Sequence, residues 1–465
     1  MATTKFVRQL SLPVSAAEAF AWHERAGALE RLLPPWEKAR LVSRKGGIEN
    51  GAEALLETSI GPVKLKWLAR HHDYIAGKQF CDTQVTGPFA SWEHQHLFNG
   101  SSENSCTLED RIEYSLPGQP MSSLFGAGFV AKKLDRMFAF RHRQTRDDLA
   151  HHSHYQSQPR QTIAVTGASG MVGGALVPLL TTGGHQAIKL SRAGGKNAAK
   201  LAGNGLTGTW NDASGELILP TDQPIDTVVH LSGENIGGSR WSASVKQKIR
   251  DSRAVGTRRL CESLAKLRVK PKTLVCASAI GFYGDRGDEL LDEQSTAGTG
   301  FLAEVCRDWE SATAPAREAG IRVVNARFGV ILSPTGGALA KMLPPFKMGG
   351  GGVVGSGKQF WSWVSLDEAA AALHHVIMTE SLAGPVNIVS PQPITNRDFT
   401  KTLGSVLFRP TIFPLPGFVA RVVLGEMANE LLLASQRVVP SQLQQSGYEF
   451  RHTTLDTALH HMLGY

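Results

Sequence analysis

The sequence is short of cysteine. Cys81, Cys106, Cys261, Cys276 and Cys306 are odd in number, widely spaced and without a CxxC pair. That pattern argues against a disulfide framework or a zinc knuckle and makes a reducing compartment the default. No stretch reaches the roughly 18–20 consecutive apolar residues that span a bilayer. The opening MATTKFVRQLSLPVSAAEAF has no continuous apolar core of a secretory signal. A cytoplasmic protein without membrane insertion is therefore expected. Runs of one charge are also missing: the net charge of +8 is spread through both halves of the chain. Scattered basic residues suit attraction of an anionic small molecule better than a nucleic-acid footprint, so no nucleic-acid partner is expected. No internal repeat at a fixed period is visible.

What is present is ordinary for a globular enzyme, with 42% hydrophobic and 19% charged residues and 48 glycines in 465 positions. That length exceeds what one core usually serves. The polar, histidine-rich tract after Arg141 interrupts the hydrophobic pattern, and residues 150–160 are read as a linker. His151, His152 and His154 are taken as incidental to it. Before the linker, alternating stretches such as FVRQLSLPV, VKLKWLARHHDYI and SCTLEDRIEYSL predict an antiparallel sheet, and MSSLFGAGFVAKKLDRMFAFRHRQTRDDL predicts a long helix across it. Residues 1–149 are thus expected to form an α+β domain. After the linker, short apolar runs alternate with helical ones, the pattern of βαβ units and a parallel sheet.

The strongest motif is TIAVTGASGMVGGALVPLL. Gly167, Gly170 and Gly173 follow a predicted strand and open a predicted helix. This spacing allows a tight turn, close approach of a pyrophosphate and close packing of helix on sheet, with the helix N-terminus offering amides to phosphate. Ser169, Met171 and Val172 complete that cofactor contact. The next strand, QAIKLSR, ends in Ser191 and Arg192 with Lys196 beyond, and carries no acid for a ribose hydroxyl. A guanidinium grips a 2′-phosphate through charge-assisted bonds, so NADP(H) is favoured over NAD(H).

Together with TGASGMVG, the stretches HLSGENIGGSRWS, KIRDSRAVGTRRL, SAIGFYGDRG, FLAEVCRDWE, GSGKQFWSWVSLDE and LGEMANELLLASQRVVP resemble the extended short-chain dehydrogenase/reductases. More narrowly, they resemble the atypical epimerase/dehydratase-like subfamily often labelled cell division inhibitors. The resemblance covers 161–465. It implies an α/β Rossmann domain with a parallel sheet over 161–384 and a small substrate-closing subdomain over 385–465. It also implies cofactor contacts from Leu231, Ser232 and Gly233, with Asn235 and Arg240 further along as cofactor or substrate contacts. Residues 1–149, through QFCDTQVTGPFASWEHQHLF, resemble the polyketide cyclase and START-like helix-grip proteins, which implies a hydrophobic ligand.

The superfamily usually carries a serine and a Tyr-x-x-x-Lys pair for proton transfer. Ser278 matches the serine. Phe301 or Leu302 falls at the tyrosine position and Val305 or Cys306 at the lysine, so Tyr283 is the substitute acid expected from the sequence. Glu304 and Arg307, at i and i+3, could pair or approach a ligand, and Asp308 could also supply a proton. Arg327 at a strand end, with Gln359, Trp361 and Trp363 near the glycines at 349–352, is expected to face a small-molecule substrate. Gly425 and Glu426 are read as structural. Trp92, His94 and His96 share one strand face. With Asp82 and Gln84 they are read as polar lining or surface, since two histidines and one aspartate fall short of a zinc set and no metal is expected. The expected activity is an NADP(H)-dependent oxidoreductase acting on a small organic substrate. The alternatives are a nucleotide-sugar epimerase-like isomerase and a dinucleotide-binding sensor without turnover.

Overall fold

Alternation of inward and outward side chains builds the N-terminal part. In the computed structural model, which describes residues 3–60, 63–118, 121–192, 205–211, 214–220 and 224–465, with the side chains of Ile60, residues 121–126 and Arg192 outside the description, seven strands form one antiparallel sheet. They are β1 (Thr4–Leu12), β2 (Arg40–Lys45), β3 (Glu53–Ile60), β4 (Val63–Ile75), β5 (Gln79–Thr86), β6 (Ser91–Ser102) and β7 (Ser105–Ser115), in the order β1-β7-β6-β5-β4-β3-β2. Along β6, Trp92, His94, His96 and Phe98 all turn inward, as a period of two demands. Helix Met121–Ser153 runs on beyond the expected end at 149. Its Leu134 and Phe138 pack on Trp92, Ile112 and Tyr114 of the sheet. The chain divides into two compact units. One is residues 1–159 with 178–184 and 464–465, and the other is 160–177 with 185–463.

One polar element stands inside the first unit. Arg31 donates from Nε and Nη2 to the two carboxylate oxygens of Asp148 at 2.7 and 2.8 Å, and Gln144 donates to the same carboxylate at 2.9 Å. Their burial is tolerable because each charge meets its opposite in fork geometry.

The second unit is built on strands buried on both faces, which read as continuous apolar runs. They are β8 (Thr162–Thr166), β9 (Gln186–Arg192), β10 (Leu206–Trp210), β11 (Leu217–Ile218), β12 (Thr227–His230), β13 (Thr273–Ala279), β15 (Arg322–Phe328) and β19 (Gly384–Ile388). Outside this sheet lie β14 (Leu290–Leu291), β16 (Val330–Ser333), β17 (Phe360–Trp361), β18 (Trp363–Ser365), β20 (Ile394–Thr395) and β21 (Arg437–Val438). The main sheet runs β11-β10-β9-β8-β12-β13-β15-β19, parallel except that β11 pairs antiparallel with β10. The expected all-parallel sheet is corrected there: the short return between β10 and β11 leaves no room for a crossover. The boundary expected at Pro385 falls inside β19, which is hydrogen-bonded to β15, so the sheet ends at Ile388. Strand order reverses between β8 and β12, which opens the crevice where this class of sheet binds ligands. Among the described residues no helix is long and apolar enough to cross a membrane. All five cysteines are free and buried.

His230, at the end of β12, takes part in a 2.7 Å hydrogen bond between its Nδ1 and Thr166 Oγ1, while its buried Nε2 has no partner. Burial pushes its pKa down to about 4. The folded state holds this ring neutral while the unfolded chain takes up a proton below its ordinary value near 6.5, so this contribution is lost as pH falls from there towards 4. Lowering the pH from about 7 to about 5 should cost about 2 kcal/mol through this group. In urea titrations at both pH values, His230→Gln should lose less stability than wild type by that amount. Equal losses would contradict the assignment. In the first unit, Asp148→Ala leaves Arg31 buried without its counter-charge. Denaturant unfolding should show a loss of about 3–5 kcal/mol, and a change below about 1 kcal/mol would mean that the pair is solvated.

Candidate dinucleotide site

The turn after β8 is held by backbone contacts that leave no space for side chains. Gly167 has a φ of 68°, and a Cβ there would come within 2.9 Å of the Leu231 carbonyl. A Cβ on Gly173 would stand 2.4 Å from the Gly167 carbonyl oxygen. These two glycines therefore let the helix Met171–Thr182 start directly against the strand end. Gly170 differs: its amide donates to Gly167 O at 2.9 Å, and a Cβ there would meet only that oxygen, at 3.1 Å. Gly170 and Ser169 are exposed. Gly174 N donates to Gly170 O at 2.8 Å, and Met171, Val172 and Gly173 occupy the first turn of the helix, whose amides an α-helix leaves without internal acceptors. An open glycine face beside such amides fits a pyrophosphate.

The β12 loop completes this wall. Leu231 and Ser232 lie against the turn, and Gly233 is exposed. The Arg253 guanidinium, on helix Ala243–Ala265, lies 3.4 Å from where a Gly233 Cβ would be. It donates to Ile249 O at 3.3 Å and rests on Trp309. Sequence reasoning missed Arg253, because its place beside Gly233 arises only when helix and loop fold together. Ser191 is corrected as a cofactor contact: it is buried and donates to Gly208 O on β10 at 3.3 Å. The Arg192 side chain and Lys196 lie outside the described residues. Asn235 accepts from the Gly237 amide at 2.9 Å, which makes it a turn former, and Arg240 is exposed with its guanidinium beside Gly425.

Next to β12, the carboxyl ends of β13, β15 and β19 carry a buried polar network. Ser278 Oγ donates to Glu310 Oε1 at 2.7 Å. Arg327 grips both oxygens of Glu310 at 2.8 Å. Its third nitrogen donates to Tyr283 Oη at 2.9 Å, and that hydroxyl donates to Asn387 Oδ1 at 2.8 Å. Arg327 also lies 3.5 Å over the ring of Phe282. Burial pushes the Tyr283 hydroxyl up to about 12. With no exposed surface and both sides of its hydroxyl occupied, Tyr283 is an interior brace and not the substitute acid expected. Arg327 is likewise corrected from substrate contact to structural ion pair, since its carboxylate partner is supplied from within the unit.

The residues expected after the 349–352 glycines are corrected as well. Gln359 is buried and donates to Val354 O and Leu432 O at 2.9 and 3.1 Å. Trp361 and Trp363 do share one side, but that side is the core built with Phe399, Leu403 and Leu459. Gly352 is needed where a Cβ would strike the Phe413 carbonyl. Glu304 and Asp308 both meet Arg250, at 2.9 and 3.4 Å. Glu304, Arg250, Lys246 and Glu426 line an open cleft of about 480 Å³ beside Phe301. Lys246 pairs with Glu426 at 2.8 Å and lies over the Phe301 ring.

Three family models match the chain: polyketide cyclase/dehydrase and lipid transport over residues 12–140, the NAD-dependent epimerase/dehydratase family over 163–388, and a domain of unknown function, DUF1731, over 415–462. An epimerase family protein of Mycobacterium leprae is 42% identical over 304 residues, 65% of this chain and 96% of its own. Human epimerase family protein SDR39U1 has a solved structure with NADPH that matches at 30% identity and a TM-score of 0.59, over 65% of this chain and 99% of its own. A Corynebacterium glutamicum structure described as a nucleoside-diphosphate sugar epimerase matches at 33% identity and a TM-score of 0.76, over 100% of this chain and 90% of its own. The turn geometry and these matches agree: the chain belongs to the NAD-dependent epimerase/dehydratase family and carries a polyketide-cyclase-like domain ahead of its Rossmann domain.

Proposed function

We propose that the chain is an NADP(H)-dependent enzyme of epimerase type, which oxidises and re-reduces a carbinol carbon of a small polyhydroxylated substrate such as a nucleotide sugar. The observation that carries this reading is the Gly167–Gly173 turn at the β8/β12 switch point, open at Gly170 and backed by Arg253. The substrate class is supported by the description of the Corynebacterium protein, and the phosphorylated cofactor by the NADPH in the human structure. The absence of an acid at the end of β9 supports the same cofactor. A net oxidoreductase would use the same site and differ only in releasing the changed cofactor. In the N-terminal unit, the polyketide-cyclase-like match supports binding of a hydrophobic small molecule.

Bound NADP(H) supplies a reversible hydride acceptor at the switch point. The amides of Met171, Val172 and Gly173 would hold the pyrophosphate, Arg253 would add positive charge beside Gly233, and the sequence offers Arg192 and Lys196 for the 2′-phosphate. Without a Tyr-x-x-x-Lys pair, proton handling falls to Ser278. Its own proton is committed to Glu310, so its oxygen can only accept. A substrate hydroxyl would give its proton to Ser278 while Ser278 gives its own to Glu310, and Arg327 keeps Glu310 in place.

Calorimetric titration with NADPH, NADP+, NADH and NAD+ tests the cofactor. The phosphorylated forms should bind more tightly, and Arg192→Ala should reduce that preference about 10- to 100-fold. Failure of all four to bind would sink the proposal. With a turned-over nucleotide sugar, Ser278→Ala should lower kcat about 10²- to 10⁴-fold with unchanged dinucleotide affinity. Wild-type turnover in that variant would remove Ser278 from the reaction.

A further inference from the structure

Inside the N-terminal unit, apart from the dinucleotide site, three adjacent strands and the long helix bring five donors together. Asp82 on β5 stands opposite His94 on β6, and His96 on β6 stands opposite Asp110 on β7. His142 reaches them from helix Met121–Ser153. His94, His96, Asp110 and His142 are buried, and Asp82 is nearly so. Their burial corrects the surface half of the expectation, and Asp110 and His142 arrive from elements distant in sequence.

The arrangement has an inner and an outer layer. Asp82 Oδ2 lies 3.3 Å from His94 Nδ1 and 3.5 Å from His96 Nε2, and one donor atom from each residue lies within 4.8 Å of the others. A tetrahedral ion with bonds of about 2.0–2.1 Å separates its ligand atoms by about 3.3–3.4 Å. The second nitrogens of both rings turn to the other carboxylate: His94 Nε2 is 3.0 Å from Asp110 Oδ1, and His96 Nδ1 is 2.9 Å from it. His142 Nε2 lies 2.7 Å from Asp110 Oδ2 and fixes that carboxylate in turn. A carboxylate holding the far nitrogen of a metal-bound imidazole is the usual outer layer of such sites.

His96 Nδ1, on the ring edge away from Asp82, lies 2.9 Å from Asp110 Oδ1 but off the line of a good hydrogen bond. The ring is instead stacked on Phe80, with centroids 4.1 Å apart and planes 19° from parallel, in an orientation that keeps Nε2 turned to Asp82. Phe138 and Trp92 close around His94 edge-on. Two carboxylates in this apolar setting require compensating positive charge.

We propose that Asp82, His94 and His96 bind a divalent first-row transition ion of the zinc class, with Asp110 and His142 as positioning residues. Two imidazoles and one carboxylate suit such an ion better than magnesium or calcium, which take oxygen donors. Three protein donors leave one position for water or for an oxygen of a small molecule bound in this domain.

The test uses the full chain, stripped with chelator and titrated with Zn²⁺ by calorimetry and with Co²⁺ by visible absorption. One ion per chain should bind, with Co²⁺ giving tetrahedral ligand-field bands. His94→Gln with His96→Gln should abolish that binding, and Asp110→Asn should weaken it about 10- to 100-fold with an unchanged circular dichroism spectrum. Should the histidine variants fail to fold, the isosteric Asp82→Asn carries the same expectation. His151→Ala with His154→Ala, and separately His72→Gln, should leave the binding intact. Absence of saturable binding in wild type would overturn the proposal. So would binding that survives Asp82→Asn unchanged, or that disappears with His151 and His154.

Discussion

The approach of the Gly173 backbone to the Gly167 carbonyl is the constraint on which the C-terminal architecture rests. No other residue type fits there, and the fit places a helix N-terminus at the reversal of strand order. From that junction β9 and β10 are added on one side and β12, β13, β15 and β19 on the other, all parallel, so the loops at their carboxyl ends converge at one crevice. Leu231 seals the turn, and Arg253 brings charge to its rim.

Beside the crevice, the place of the usual tyrosine and lysine is taken by packing. Phe301, Val305 and Cys306 are buried, and the charge that remains is drawn inward as the Ser278–Glu310–Arg327–Tyr283–Asn387 chain. Such a network is costly unless every member is satisfied, and its donors and acceptors meet at 2.7–2.9 Å. It fixes the ends of three parallel strands and leaves a serine oxygen with only acceptor capacity. In the proposed reaction that oxygen receives the substrate's proton.

What was legible in the sequence was local. The glycine turn, the strand before it, the helix after it and the alternation of β6 are all written in neighbouring residues. What stayed hidden depends on which side of an element becomes interior. The spacing of Trp361 and Trp363 places them together correctly, yet nothing in that spacing says that their side meets Phe399 instead of a substrate. Arg327 at a strand end looks identical whether it meets a ligand or Glu310. In the same way Trp92, His94 and His96 were correctly placed on one face. The partners that give the histidines their meaning, Asp110 and His142, come from another strand and a helix.

The proposed function places the dinucleotide on the Gly167–Gly173 turn. A crystal structure of the full chain grown with NADP+ tests it most directly. Pyrophosphate density should lie against the amides of Met171 and Val172, over the open face of Gly170 and within reach of Arg253. Density for the dinucleotide elsewhere, such as the cleft lined by Lys246, Arg250 and Glu426, with the glycine turn bare, would contradict it.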